Sequence, residues 1–249
     1  MSNFSDETQT WKKTYFSKLN KFQDVHKNQD CFIVGNGPSL NDTDLSLLKN
    51  KYVFGLNKIY LIFEKQEFSP TYIAAVNDLV IQQSANRYKE LKMPIFLKNE
   101  SALRHKVTGN HILHTLKSKY PFYFCRQMTD EFSEGYTVTY YALQLAFAMG
   151  FQNVFLVGVD HSFKQTGKPN EKQRMQSNDP NHFHPDYFKG HDWQLADLEA
   201  SELAYKTANF FYTRNKRKIF DATIGGKLDI FPKISYQNAL RQCRSIKEF

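Results

Sequence analysis

Short apolar runs alternate along the chain with segments in which apolar residues recur at helical spacing. The runs that predict strands are 30–35, 52–56, 72–76, 94–97, 154–159 and 218–220. Helices are predicted to start at Asn41 or Asp42 and to cover 79–91, 138–149 and 194–209. Residues 154–159 are apolar throughout, which is typical of a strand buried on both faces. The alternation predicts an α/β, Rossmann-like fold in which a mostly parallel sheet carries helices on both faces.

Residues 161–192 interrupt this alternation. The segment is rich in Gly, Pro, Asn and Lys, contains four histidines, and has hardly any periodic apolar residue. A long irregular segment in a compact domain usually serves a site or moves over one. We therefore interpret 161–192 as a lid inserted into a single domain, 31–249, which follows an N-terminal helical extension, 1–30.

The composition indicates one globular domain, because 41% of the 249 residues are hydrophobic and 23% are charged. No run of about 18 uncharged apolar residues occurs, and the first residues do not resemble an export signal, so we expect a cytoplasmic protein. Cys31, Cys125 and Cys243 are widely spaced and form no CxxC pair. This spacing argues against a disulfide framework and against a thiolate metal site, and we expect no metal.

The net charge of +8 is concentrated at one end of the chain. Residues 205–249 contain ten Lys or Arg against three acidic residues. The stretch has no zinc-finger, helix-turn-helix or RNP-type motif, so a nucleic-acid partner is not expected. Such a basic region can contact anionic lipid at the inner face of a membrane or attract a phosphorylated substrate, and a solvated face is an equal alternative. The sequence leaves the oligomeric state open, a homo-oligomer included.

Polar residues follow several predicted strands at the points where they end. Because ligands of open parallel sheets bind beyond the carboxyl ends of the strands, these residues are candidates for one crevice that holds a nucleotide. They are Asn36, Gly37, Ser39, Asn57, Asn77, Asp78, Asp160, His161, Ser162, Thr223, Gly225 and Gly226.

The segment Gly35–Ser39 differs from two known phosphate-binding loops. It lacks the third glycine of G-x-G-x-x-G and the Gly-Lys-Ser/Thr ending of the Walker pattern. Glycine at 35 and 37 still permits close approach of a ligand, and backbone amides at the start of a following helix can bind phosphate oxygens. The alternative is a tight turn between a strand and a helix.

The histidines of the predicted lid match no established zinc spacing and lack a thiolate partner. A histidine near neutral pH can instead remove a proton from a substrate hydroxyl. His191 lies just before a predicted helix and is the best-placed general base, the alternative being a surface histidine without a role.

Several of these segments together resemble one family. Val34-Gly35-Asn36-Gly37-Pro38-Ser39-Leu40, Asn57, Asn77, the stretch from Gly150 to Asp160, and Lys189-Gly190-His191 are similar to the bacterial lipooligosaccharide sialyltransferases of glycosyltransferase family 42, within the wider MptE-like domain group. The resemblance spans residues 31 to about 223. It implies a Rossmann-like, GT-A-like fold that transfers a sialic-acid-like or other acidic sugar from a CMP-activated donor to a glycan or glycolipid acceptor, with inversion and without a metal or cofactor.

The resemblance also implies roles for individual residues. His191 would be the general base, with Asp160 as a second catalytic residue. The donor would contact Gly35, Asn36, Gly37, Pro38, Ser39, Asn57, Asn77, Asp78, Thr137 and Thr139. The family stabilises the leaving phosphate with lid tyrosines, and Ser162 stands at the position of one of them. That role would pass to His161, Ser162, His182, His184, Tyr187 or Lys189.

Two other functions remain open at this point. The MptE-like group also contains diphosphokinases, which move pyrophosphate from ATP to a pterin alcohol and need magnesium, for which Asp78, Asp160 and Asp192 are candidate ligands. The other is a nucleotide-binding module of a polysaccharide pathway that catalyses no reaction.

Overall fold

A computed structural model of the chain describes residues 9–244. Residues 1–8 of the predicted N-terminal extension, and 245–249 with Lys247 and Glu248 of the basic region, lie outside the described residues. The strands are β1 (Asp30–Val34), β2 (Tyr52–Leu56), β3 (Tyr72–Ala75), β4 (Ile95–Lys98), β5 (Ile112–Lys117), β6 (Glu131–Phe132), β7 (Asn153–Val157), β8 (Lys172–Arg174), β9 (Asp192–Gln194) and β10 (Lys218–Asp221). The α-helices are α1 (Ser17–Asn20), α2 (Asp78–Glu90), α3 (Asn99–Arg104), α4 (Val138–Ala148), α5 (Leu198–Arg214) and α6 (Tyr236–Gln242).

Within residues 9–244, eight strands form one sheet in the order β10-β7-β1-β2-β3-β4-β5-β6. Every neighbouring pair in it is parallel, and Phe32 of β1 is in register with Val53 on one side and Phe155 on the other. The α/β, Rossmann-like fold predicted from the alternation is confirmed. The chain order reverses between β1 and β7, so the connections that leave these two strands diverge and open a crevice at their carboxyl ends.

Alternate residues of the strands face two separate cores. Cys31 and Ile33 of β1 belong to the layer that contains α4 and α5, while Phe32 and Val34 belong to the layer that contains α2 and α6. The N-terminal segment, with a π-helical turn at Lys12–Phe16 followed by α1, also packs into the first layer. Apolar side chains on both faces of each strand explain why the strands read as continuous apolar runs.

The helix predicted after the first loop is absent as an α-helix. The structure has 3-10 helices at Pro38–Asp42 and Leu45–Leu48 instead, and a third at Ile59–Ile62. Asp44 lies between the first two of these helices, and its side chain accepts hydrogen bonds from Ser46 N and Ser46 Oγ at the start of the second. Leu40, Leu45 and Leu48 are still buried, so the apolar spacing predicted burial correctly but not the type of helix.

The helix predicted over 194–209 starts later than expected. Gln194 ends strand β9, and α5 begins at Leu198 after Asp197, whose side chain accepts a hydrogen bond from Ala200 N at 3.1 Å. An aspartate in this position is a favourable N-cap, because it satisfies an amide of the first turn.

The segment 161–192 is irregular apart from β8 and the first residue of β9, but much of it is packed against the sheet. Strands β8 and β9 pair as an antiparallel hairpin, and Phe183, Tyr187, Phe188 and Trp193 are buried in the second core. The spacing of these aromatic residues follows neither a helix nor a strand, which is why the pattern did not reveal their burial.

One buried lysine fastens this segment to the sheet. Lys58 is 4% exposed, and its Nζ donates to Tyr187 O and to Gln83 Oε1, both at 2.7 Å. Burial lowers the pKa of Lys58 to about 8, with Asp179 acting in the opposite direction. Its ammonium group also lies over the ring of Phe188, 4.7 Å from the centroid.

A buried glutamine on α4 holds the segment between β5 and α4. Gln144 is fully buried, and its Oε1 accepts hydrogen bonds from Cys125 N and Ser133 N, both at 3.1 Å. Its Nε2 donates to Ser133 O at 2.8 Å and to Tyr140 O at 3.1 Å. A single side chain therefore satisfies two backbone amides that would otherwise be buried without a partner.

We expect Gln144→Leu to lower the free energy of unfolding by roughly 2 to 5 kcal/mol, because each unsatisfied buried amide costs about 1 to 3 kcal/mol. Chemical denaturation measures the change. Gln127→Leu is the matched control, since Gln127 lies in the same segment with an exposed side chain. Equal stability of the two variants would contradict the role of Gln144.

Candidate active site

A cavity of about 590 Å³ opens at the carboxyl ends of the strands, where the order of the sheet reverses. Its walls come from the ends of β1, β2, β3, β5 and β7, the first turn of α4, and the connection from β9 to α5. Among the predicted site residues, the cavity is lined by Gly35, Asn36, Gly37, Asn57, Asn77, Thr137, Thr139, Asp160, His161, Ser162 and His182. The predicted residues that do not line it are Pro38, Ser39, Asp78, His184, Tyr187, Lys189 and His191.

The glycine-containing loop after β1 packs against the loop after β7. Gly35 N donates to Val157 O at 2.8 Å, and Gly37 N donates to Gly158 O at 2.9 Å. Ser39 N donates to Asp160 Oδ1 at 3.1 Å. These three amides donate to acceptors inside the protein, so they have no N–H group free for a phosphate in this structure.

The same loop explains why Gly37 is a glycine. A Cβ atom at this position would overlap the Asp160 carboxylate, which also accepts a hydrogen bond from Ser39 Oγ at 2.7 Å. Burial raises the pKa of Asp160, and the hydrogen bonds from Ser39 act in the opposite direction. Both oxygens of Asp160 are thus engaged in joining the two loops. Asp160 therefore positions these two loops through Ser39, while its predicted catalytic role and the predicted contact of Ser39 with the donor stay predictions.

Two asparagines present acceptors that the protein leaves unsatisfied. Asn36 follows β1 and Asn57 follows β2, and both line the cavity. Their Oδ1 atoms are buried without a hydrogen-bond partner among residues 9–244, and Asn36 is only 8% exposed. A buried oxygen without a partner is costly, so these two atoms are suited to a ligand that donates hydrogen bonds.

Asn77 lines the cavity but uses its side chain within the protein. Its Oδ1 accepts a hydrogen bond from Val80 N at 3.2 Å and caps α2, while its Nδ2 donates to Gln194 Oε1 at 2.8 Å. The structure therefore assigns Asn77 to attaching the hairpin to α2, in place of the predicted contact with the nucleotide.

One end of the cavity is electropositive. Thr137 caps α4 by accepting from Thr139 N at 3.3 Å, and the first turn of this helix, which carries a partial positive charge, forms part of the wall. Lys117 and Lys119 line the same cavity. The Nζ atoms of Lys117 and Lys98 lie 3.2 and 2.9 Å from Glu134 Oε1. The two positive charges therefore exceed the single negative charge of the carboxylate between them. An anionic group of a ligand would be favoured here.

A histidine paired with a buried carboxylate also faces the cavity. His182 Nδ1 lies 2.8 Å from Asp179 Oδ2, and the Asp179 side chain is fully buried. The imidazole stacks on the ring of Tyr187 with 4.0 Å between centroids. The carboxylate orients the ring and favours a proton on Nδ1, which leaves Nε2 as an acceptor. This is the arrangement of a general base.

A second histidine of the cavity wall, His161, pairs with a carboxylate that is 44% exposed. His161 Nε2 is 3.1 Å from Glu202 Oε1, and His161 has a backbone φ of 52°, which is uncommon for a residue other than glycine. Sequence reasoning identified His161 and His182 but missed their partners Asp179 and Glu202. A spacing of three residues between Asp179 and His182 was the one available signal, because Glu202 is distant in sequence.

The predicted general base lies elsewhere. His191 is exposed immediately before β9 and does not line the cavity, whereas Trp193 and Gln194 of this strand do. Tyr187 is buried with its hydroxyl 3.3 Å from Lys58 N, and it packs behind His182. Neither residue lines the cavity, and the roles predicted for them stay predictions.

The remaining predicted contacts are engaged on the surface. Asp78 binds Arg104 at 2.6 Å, Lys189 lies 3.3 Å from Asp186, and His184 Nδ1 accepts from Asp186 N at 3.2 Å. Pro38 begins the first 3-10 helix and contributes no side chain to the cavity wall.

The three aspartates proposed as magnesium ligands do not converge. Asp160 holds Ser39, Asp78 binds Arg104, and Asp192 binds Lys172 at 2.9 Å. In the part of the chain that the structure describes, no group of three or more His, Cys, Asp or Glu residues is placed to hold a metal ion.

Comparison with known proteins supplies a family. A family model described as "6-hydroxymethylpterin diphosphokinase MptE-like" matches residues 2–166, so the chain belongs to the MptE-like family. A search of curated proteins finds no match. The structure is similar to that of the MAf glycosyltransferase from Magnetospirillum magneticum AMB-1, with a TM-score of 0.54 and 15% sequence identity. The match covers 91% of this chain and 38% of that protein, and identity at this level shows a shared fold.

The pH dependence of stability tests the positioning role of Asp160. Because burial raises its pKa, the native protein binds this proton more tightly than the unfolded chain, and the carboxylate costs stability as the pH rises through the native pKa. We expect Asp160→Asn to gain stability relative to the wild type between about pH 4 and pH 7, since an amide can still bond to Ser39. Urea denaturation across this range measures the difference.

Asp192→Asn is the control of opposite sign. The hydrogen bond from Lys172 lowers the pKa of Asp192, so the wild type should gain stability relative to this variant as the pH rises.

Asp160→Ala, which removes both hydrogen bonds to Ser39, should lower the free energy of unfolding by about 1 to 3 kcal/mol. A wild type that gains on Asp160→Asn with rising pH would contradict this assignment.

Proposed function

We propose that this member of the MptE-like family is a transferase that binds a nucleotide-activated donor in the cavity beyond β1 and β7. In its finer form, the proposal is that a CMP-activated acidic sugar is transferred to a hydroxyl of a glycan acceptor, with inversion and without a metal. The observation that carries it is the Asp179–His182 pair, which faces the same cavity as the unsatisfied oxygens of Asn36 and Asn57.

The donor fits the distribution of polar groups in the cavity. The oxygens of Asn36 and Asn57 would accept hydrogen bonds from the amino group of a cytosine and from ribose hydroxyls. The positive end of α4, with Lys117 and Lys119, would favour the phosphate or the carboxylate of the sugar. Preorganised donors near the phosphate would stabilise the charge that develops as CMP leaves.

The reaction assigned to these residues is a displacement at the anomeric carbon. His182 Nε2 accepts the proton of the acceptor hydroxyl as its oxygen forms a bond to the anomeric carbon. The bond from that carbon to the phosphate oxygen breaks, and CMP leaves with the electron pair. Asp179 holds Nδ1–H and stabilises the imidazolium that forms, so that His182 keeps its orientation through the step.

The family description favours a second candidate. A diphosphokinase would transfer diphosphate from ATP to a hydroxyl, and the same base could remove its proton, with magnesium held largely by the phosphates and by one or two carboxylates. Asp160 lines the cavity and would be the carboxylate for this ion only by giving up a hydrogen bond from Ser39. The remaining alternative is a protein that binds the nucleotide and catalyses no reaction.

A thermal-shift panel separates these candidates. CMP, CDP, UDP, GDP, ADP and ATP would each be added with and without magnesium. We expect CMP to stabilise the protein without metal, and a ligand at about 100 times its dissociation constant adds about 2.7 kcal/mol. A preference for ATP with magnesium would overturn the glycosyltransferase proposal in favour of the diphosphokinase.

Substitution of the two histidines tests the assignment of the base. We expect His182→Ala to lower kcat by about a hundredfold or more while the dissociation constant for CMP stays nearly unchanged, because proton transfer and donor binding use different groups. His191→Ala is the matched control and should keep its kcat. The proposal fails if His182→Ala keeps its kcat while CMP binds normally, or if His191→Ala loses as much.

A further inference from the structure

The segment 117–126 and the outer face of α5 together form a surface that we call the aromatic–basic surface. In the described part of the chain, ten large apolar side chains are exposed, and half of them belong to this surface or its border. They are Tyr120 (60%), Tyr123 (41%), Tyr136 (46%), Leu203 (52%) and Phe210 (60%). Such a concentration of exposed apolar groups indicates an interaction site.

Contacts along the segment show that its parts are neighbours. The rings of Phe122 and Tyr136 lie 5.9 Å apart, and Tyr136 O accepts a hydrogen bond from Ser201 in the first turn of α5. Further along, the ring of Phe124 stacks on Phe211 with 4.8 Å between centroids. The segment therefore follows α5 over about three helical turns.

On α5 itself, apolar and basic residues share one exposed face. Leu203, Lys206 and Phe210 are exposed, and Arg214 continues the row at a spacing of four residues. Residues separated by three or four positions lie on the same side of a helix. This face lies on the opposite side of the helix from Ala204, Ala208 and Tyr212, which are buried in the first core.

Cations are concentrated in this surface and in the residues that follow α5, where Arg217 binds Phe147 O within the fold. Segments 117–126 and 203–218 contain no Asp or Glu and carry eight cations, which equals the net charge of +8, so the rest of the chain sums to zero. They are Lys117, Lys119, Arg126, Lys206, Arg214, Lys216, Arg217 and Lys218. Cations nearer the C-terminus are bound inside the fold: Arg244 binds Asp30 at 2.9 Å, and Lys233 binds Asp221 at 2.6 Å.

We propose that the aromatic–basic surface docks the protein on a bilayer that contains anionic phospholipids. Aromatic side chains are suited to the interface between headgroups and acyl chains, and lysines and arginines attract anionic headgroups. Glu199 lies on the same face of α5 and Glu134 pairs with Lys117, but cations outnumber acids along this surface, and the excess complements a uniformly anionic bilayer. No helix within residues 9–244 is long and apolar enough to cross a membrane, so the contact is peripheral.

The surface borders the mouth of the cavity. Lys119, Pro121 and Tyr136 line the cavity and also belong to the surface or its edge. Docking through this surface would therefore place the opening of the cavity next to the bilayer. A substrate held in the membrane by a lipid could then reach the site without leaving the bilayer.

Sedimentation of the full chain with lipid vesicles tests this proposal without any assay of activity. We expect at least tenfold stronger binding to phosphatidylcholine vesicles that contain phosphatidylglycerol than to phosphatidylcholine alone, with weakening at high salt. Leu203→Ser combined with Phe210→Ser should reduce the binding about tenfold, and so should Lys206→Glu combined with Arg214→Glu. Leu47→Ser combined with Leu103→Ser, which changes two exposed leucines elsewhere, should bind as the wild type does.

Each variant would first be compared with the wild type by circular dichroism and thermal melting, because all of these side chains are exposed and the fold should be kept. Absence of binding to anionic vesicles by the wild type would overturn the proposal. So would a Leu203→Ser and Phe210→Ser variant that binds normally, or a control variant that loses binding to the same extent. A wild type that instead binds a soluble protein partner and ignores lipid would show that this face serves protein recognition.

Discussion

The Asp160 carboxylate joins the two loops that diverge from the centre of the sheet. One loop leaves β1 and the other leaves β7, and their separation creates the cavity. Ser39 bonds both oxygens of Asp160, and the absence of a Cβ at Gly37 lets the loops approach closely enough for this. Asn36 lies between the two glycines, and the hydrogen bonds from Gly35 N to Val157 O and from Gly37 N to Gly158 O act together with Asp160 to hold it in the cavity wall.

The polar groups of the site divide into those with hydrogen-bond partners inside the protein and those without. Asn77 and the amides of the glycine loop are satisfied by internal hydrogen bonds, so they shape the cavity. The oxygens of Asn36 and Asn57 have no hydrogen-bond partner among residues 9–244. The His182 imidazole is hydrogen-bonded to Asp179 and stacked on the ring of Tyr187. Lys58 holds Tyr187 in place by donating a hydrogen bond to its backbone carbonyl. The segment 161–192 thus holds the His182 side chain in a fixed orientation in the cavity wall.

The sequence predicted the parallel sheet because its central strands are buried on both faces and read as apolar runs. It missed β5 and β6, since His114 interrupts the first and the second has only two residues. It located the cavity, because loops at the carboxyl ends of parallel strands must meet. It could not rank the histidines, since the choice between His182 and His191 depends on a buried carboxylate and on which side of the hairpin faces inward. Those facts arise only from tertiary packing.

A crystal structure of the protein with a CMP-sugar or a non-hydrolysable analogue tests the central claim most directly. The account predicts that the nucleotide occupies the cavity beyond β1 and β7, with hydrogen bonds to Asn36 Oδ1 and Asn57 Oδ1 and with its anionic groups toward the first turn of α4. His182 Nε2 should face the anomeric carbon across the space for an acceptor. A nucleotide bound outside this cavity, or one that leaves both asparagine oxygens without partners, would contradict it.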